Sequence, residues 1–124
     1  MKEVPVGSSG NGRGQGWFAH RTVAGVGDDG APERITIWIE RKPGAVWAVG
    51  RAVDLDQRAD GAIHDADYVF EGYEMGDALT AANDALSSDL DASLMDGRRQ
   101  LIAPFLESEL LAPLERWFFG RMIG

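Results

Sequence analysis

Hydrophobic and polar residues alternate most sharply in Arg34-Ile35-Thr36-Ile37-Trp38-Ile39-Glu40-Arg41. A period of two in β-branched and aromatic residues predicts a β-strand there. A second extended stretch runs from Trp17 to about Val26 and ends at Gly27-Asp28-Asp29-Gly30. Lys42-Pro43-Gly44 predicts a turn, with Pro preset for the first corner and Gly for the second. A third strand is expected from Ala45 to about Val53. A long acidic loop, Asp54 to Asp65, separates it from a fourth, Asp67 to Tyr73.

The period then changes. Leu79, Ala82, Leu86 and Leu90 form one stripe at helical spacing, which predicts a helix from Asp77 to about Leu90, with Asp77 as its cap. A second helix is expected from about Arg98 to Phe119, with Leu106, Leu110, Leu114, Trp117 and Phe118 on one side. Pro104 suits a true start in that first turn, and Pro113 predicts a kink. The expected fold is therefore α+β: a four-stranded antiparallel β-meander followed by two C-terminal α-helices on one face. Residues 1–16 are so rich in Gly and Ser that they read as a flexible tail, leaving 17–124 as a single domain.

The hairpin of strands two and three can be put in register. With Pro43-Gly44 at the corner, Glu40 faces Trp47, Trp38 faces Val49 and Thr36 faces Arg51. One face then carries Ile35, Ile37 and Ile39 beside Ala48, Gly50 and Ala52, a surface that helices can approach closely. The other carries Thr36, Trp38, Glu40, Trp47 and Arg51. If the helices cover the Ile face, this Trp/Arg face is the candidate binding surface, since Trp and Arg dominate interface energies. A second protomer could cover it, or the tail and loop 54–65 could fold over it. A three-residue turn would flip the parity.

Charge sharpens the picture. The 124-residue chain has a net charge of −8. Residues 1–53 carry seven Lys/Arg against five Asp/Glu, and residues 54–124 five against fifteen, or +2 and −10. An acidic chain is repelled by nucleic acid and by anionic membranes. Cysteine is absent, so there is no disulfide, thiolate metal site or Cys nucleophile. No apolar run approaches the roughly 18–20 residues of a membrane span, and the N-terminus has no signal-like apolar stretch. A cytoplasmic protein is the expectation.

Candidate chemistry is sparse. The Gly-rich run 7–16 precedes a strand and lacks a Gly-Lys-Ser/Thr ending, unlike a phosphate loop. Asp54 to Gly61 and Asp89 to Gly97 have calcium-like Asp-x-Asp starts. However, Arg58 and Leu94 fall at the wrong positions and neither has the closing Glu. His20 and His64 lack ligand spacing. No metal, cofactor or catalytic residue is expected. Glu107, Glu109 and Glu115 read as a solvated helix face. Three adjacent aromatics, Trp117-Phe118-Phe119, cannot all enter one core, so Phe119, Met122 and Ile123 are candidates for a dimer or partner contact.

In strand order, four strands then helices, the chain resembles the positive-cofactor and Whirly types of single-stranded DNA-binding domain. That resemblance is of topology alone. It implies a nucleic-acid module using Trp38 and Trp47 for stacking, with Arg21, Arg41, Lys42 and Arg51 on phosphates. The residues themselves favour a non-enzymatic protein-interaction or adaptor domain, self-associating as a homodimer, on the Trp/Arg face. A small-molecule site between sheet and helices, lined by His20, Tyr68 or Tyr73, is the third expectation.

Overall fold

The strands form where the alternation predicts. The computed structural model describes residues 16–94 and 97–111. Strands β1 (Trp17–Val26), β2 (Pro32–Lys42), β3 (Val46–Val53) and β4 (Tyr68–Gly72) form one antiparallel sheet in the order β1-β2-β3-β4. Helix α1 (Met75–Ala92) follows, and a short second helix, α2, covers the described residues 107–111. The α+β meander with helices after it is thus the observed architecture. Phe119, Met122 and Ile123 lie outside the described residues, as do Trp117 and Phe118.

The hairpin register differs from expectation by one residue. Lys42 pairs with Val46, so three residues, Pro43-Gly44-Ala45, make the turn. Gly44 (φ 85°) and Ala45 (φ 63°) both adopt the left-handed conformation. A second left-handed residue lengthens the corner by one and moves every β3 side chain to the opposite face. Ile37 therefore faces Arg51, Ile39 faces Val49, and Trp38 faces Gly50.

Two cores result. On the α1 side, Val23, Ile35, Ile37, Ile39, Trp47 and Val49 pack against Ala78, Ala82, Leu86 and Leu90 of the helix, together with Phe105 and Leu110. The small helix residues let α1 lie close over the branched sheet residues. On the other side the small residues Ala48, Gly50 and Ala52 make room for Trp38, whose ring lies over Gly50. A Cβ on Gly50 would collide with that ring. Leu55 and Ala52 are buried with Trp38, and Trp17, Ile63 and Tyr68 pack around them.

The cover over Trp38 is the loop after β3. It holds two short 3-10 turns, Leu55–Gln57 and Asp65–Asp67. Asp54 starts it in a left-handed conformation (φ 48°). Its N–H donates to the Arg34 carbonyl at 2.7 Å, and its Oδ1 accepts from the Arg34 N–H at 2.8 Å. The sheet ladder is thereby extended by one pair before the chain turns across the face.

The helices also begin differently than expected. Glu74, not Asp77, is the N-cap of α1, and Asp77 lies in its first turn, where an acid suits the helix dipole. Residues 99–106 are non-helical. Hydrogen bonds to β1 and α1 tie them down. Gln100 donates to the Ala24 carbonyl (2.7 Å) and accepts from its N–H (3.0 Å), copying a strand partner along the β1 edge. Asn83 of α1 grips the Phe105 backbone in the same two-way manner (3.0 and 2.7 Å). At α2, the Leu106 N–H donates to the Glu109 side chain (2.8 Å), a start just after Pro104.

Trp38 has no solvent exposure. Trp38→Ala is therefore expected to cost about 3–5 kcal/mol, on the scale of Ile37→Ala at about 2–5 kcal/mol, measured by chemical denaturation. Gly50→Ala should be destabilising by at least about 1–3 kcal/mol, because the added methyl overpacks the ring. A Trp38→Ala loss under about 1 kcal/mol would return Trp38 to an exposed face.

Candidate functional site

The five residues expected to share a binding face do not share one. Trp47 and Arg51 sit on the α1 side, while Thr36, Trp38 and Glu40 sit on the loop side. Trp47 is buried, edge-on to Phe18 at 5.2 Å, with the Arg41 guanidinium over its ring at 4.7 Å. Arg51 donates twice to Asp89 of α1, at 2.7 and 2.9 Å. These contacts hold the Arg51 guanidinium more firmly charged than usual. The aromatics that motivated self-association are therefore buried (Trp38, Trp47) or outside the described residues (Phe119).

The cations proposed for phosphate contacts are engaged within the protein. Arg21 donates to the Ala103 and Pro104 carbonyls and to Glu109, and its guanidinium stacks on Phe105. Its hydrogen bond keeps the Glu109 carboxyl below its ordinary range. Lys42 pairs with Glu71 and lies over the Tyr68 ring. Arg41 and Arg51 are placed as above.

The loop side is held by a polar network. Glu40 Oε1 accepts from both Trp38 Nε1–H and Tyr68 O–H, each at 2.7 Å. Burial, and then the Glu40 carboxylate, push the Tyr68 phenol far above its usual pKa, so it stays protonated and donates to Glu40 at neutral pH. Arg58 donates to both oxygens of Asp67 at 2.7 Å and to the Ala62 carbonyl at 3.0 Å. Asp67 also accepts from the His64 N–H. The His64 ring meets Asp60 at 2.8 Å and is exposed. Asp54, Asp56, Asp60 and Asp67 of the loop thus meet Arg58, Arg34, His64 or backbone amides. Among the described residues no cluster of three or more His, Asp or Glu could hold a metal.

Beyond the loop, the β1–β2 part of this face stays open. A groove of about 280 Å³ lies there, lined by Trp17, His20, Thr22, Arg34, Thr36, Leu55 and Asp56. The register explains its shape. Thr22 faces Thr36, His20 faces Trp38 and Ala24 faces Arg34, so a small floor runs between an aromatic and a cationic end. An irregularity in β1 between Trp17 and Ala19 turns Trp17 onto this face, where it stacks on Trp38 at 4.8 Å, with His20 at 5.5 Å. Of the expected residues, Thr36 and His20 meet here. Trp17, Arg34 and Asp56 were missed. The alternation Trp17/His20/Thr22 is broken by that bulge, which leaves no mark in the sequence.

The groove's polar groups stand apart from those elsewhere. Among the described residues, Trp17 Nε1, the His20 ring, Thr22 Oγ1 and Thr36 Oγ1 make no hydrogen bond within the protein. The Arg34 guanidinium has only a loose contact with Asp56, at 3.6 Å, and its side chain is 64 % exposed. A second depression, about 600 Å³, follows the β4 edge at Lys42, Asp65, Tyr68 and Glu71. There Lys42, Tyr68 and Glu71 are already paired with one another or with Glu40. Between sheet and α1 lie the residues of the larger core. No helix among the described residues is long and apolar enough to cross a membrane.

Comparison of the chain with family models, curated proteins and solved structures finds no match in any of the three.

The Arg58–Asp67 pair gives an acid dependence with a definite sign. The hydrogen bonds from Arg58 hold the Asp67 pKa below its ordinary value. A lowered folded-state pKa adds stability above the unfolded value, about 3.9, and that stability is lost as pH falls through the folded value. Wild type should lose stability below about pH 4, and Asp67→Asn should flatten that loss while costing about 1–3 kcal/mol at neutral pH. Identical pH profiles by thermal denaturation would contradict it.

Proposed function

We propose that the protein is a non-enzymatic interaction module that binds a protein partner in the Trp17–Arg34 groove of the sheet. The observation supporting this reading is the concentration of unused hydrogen-bonding groups beside aromatic surface. Arg21, Arg51 and Arg58 each make two or more short hydrogen bonds, and Arg34 makes none with its side chain. Trp17 adds apolar area at the groove's edge, and Thr22 and Thr36 add hydroxyls on its floor. Polar groups set around apolar surface in a concavity are what a recognition site needs. The expected Trp/Arg surface is thus proposed on Trp17 and Arg34 in place of Trp47 and Arg51.

Thr22→Gln fills the trough from its floor without touching either core. Affinity capture from native cell extract should retain a partner on wild type and lose it on Thr22→Gln, with circular dichroism and melting temperature unchanged. The same proteins on both baits would count against the groove.

A further inference from the structure

Building on that reading, we infer that the groove takes an acidic peptide segment, with a carboxylate on Arg34 and an aromatic side chain against Trp17 and His20. A guanidinium offers a planar fork of donors that matches a carboxylate in two parallel hydrogen bonds. Arg21, Arg51 and Arg58 each spend their forks on Glu109, Asp89 or Asp67. Arg34 has its fork free, at the end of a groove, with a guanidinium nitrogen 3.6 Å from Asp56 in an exposed contact. Exposed pairs at that separation contribute little, so an incoming carboxylate with better geometry displaces Asp56 at small cost.

Shape supplies the second half. The rows Ala24/Arg34, Thr22/Thr36 and His20/Trp38 follow the strands, so the groove is elongated along them. An extended peptide places same-side side chains about 6.6 Å apart, the spacing of alternate residues on a strand. The ends of the trough, a guanidinium and a Trp–His pair, lie four strand residues apart, Arg34 to Trp38 and Ala24 to His20, or about 13 Å, so a carboxylate and, four residues on, an aromatic ring fit it. The threonine hydroxyls between them face the peptide backbone.

The net charge of −8 does not oppose this at short range. Exposed charges are screened over about 8 Å at physiological salt. Helix α1, with Asp77, Asp84 and Asp91, covers the opposite face of the sheet, roughly 10 Å away. Among the residues lining the groove the one anion is Asp56, which makes it the internal competitor for Arg34.

The test uses the full chain and two peptides, Ac-Glu-Ala-Ala-Ala-Phe-NH2 and Ac-Gln-Ala-Ala-Ala-Phe-NH2, titrated to about 10 mM by calorimetry and tryptophan fluorescence. The Glu peptide should bind about tenfold or more tightly than the Gln peptide, the difference a charge-assisted pair supplies. Arg34→Gln should erase that preference, and Asp56→Asn should strengthen Glu-peptide binding several-fold by removing the competing carboxylate. Equal binding of the two peptides, no binding of either, or weaker binding to Asp56→Asn would overturn the proposal. Capture of a cellular partner that is lost with Thr22→Gln but kept with Arg34→Gln would retain the groove and overturn the carboxylate. A dimer in light scattering that Thr22→Gln dissociates would make a second copy the occupant and overturn it as well.

Discussion

The three-residue turn Pro43-Gly44-Ala45 decides what each face of this sheet is for. Side chains on a strand alternate, so one residue more or less in a corner exchanges the two faces of everything after it. Here the extra left-handed residue is Ala45. An alanine in that conformation is held at a cost of about 1–2 kcal/mol, which the fit on both sides of the sheet must exceed. With this register the bulky β3 residues Trp47 and Val49 join the isoleucines beneath α1. The small ones, Ala48, Gly50 and Ala52, form the bed on which Trp38 lies. One residue earlier, Trp38 would stand over Val49 and Trp47 would leave the larger core.

The same register settles how a +2 half and a −10 half of the chain fold together. Arginines of the sheet meet carboxylates of the acidic half, Arg21 with Glu109 and Arg51 with Asp89, while Arg58 and Asp67 pair within that half. Each is a short hydrogen-bonded pair with one partner at least largely buried, and losing one partner would leave the other without its counter-charge. They act as cross-links between elements: Arg21 fixes the segment before α2 to β1, Arg51 fixes α1 to β3, and Arg58 closes the loop over Trp38. Arg34, by contrast, meets its nearest carboxylate, Asp56, only at 3.6 Å and is largely exposed.

Much of the fold was legible in the sequence because it depends on local pattern. The alternation in Ile35-Thr36-Ile37-Trp38-Ile39 and the stripe Leu79, Ala82, Leu86, Leu90 each report which residues face a core. The stretch 99–106 was not legible. Its composition suits a helix, and it is kept extended by Gln100 on Ala24 and by Asn83 on Phe105, partners 76 and 22 residues away. The candidate site was legible only in kind. Thr36, Trp38, Glu40, Trp47 and Arg51 were expected on one open face, but the three-residue turn divides them between the two faces. Trp17 reaches the groove through a β1 irregularity that alternation does not encode. Proline and glycine mark a corner without fixing how many residues it takes.

The register is the claim on which both the buried Trp38 and the open Trp17–Arg34 groove rest. It is most directly tested by cross-strand proton contacts in the nuclear magnetic resonance spectrum of the full chain. This register gives backbone contacts linking Ile37 with Arg51 and Ile39 with Val49, and Gly50 Hα resonances shifted strongly upfield by the Trp38 ring. Contacts linking Thr36 with Arg51 and Trp38 with Val49, with Gly50 at ordinary shifts, would contradict it.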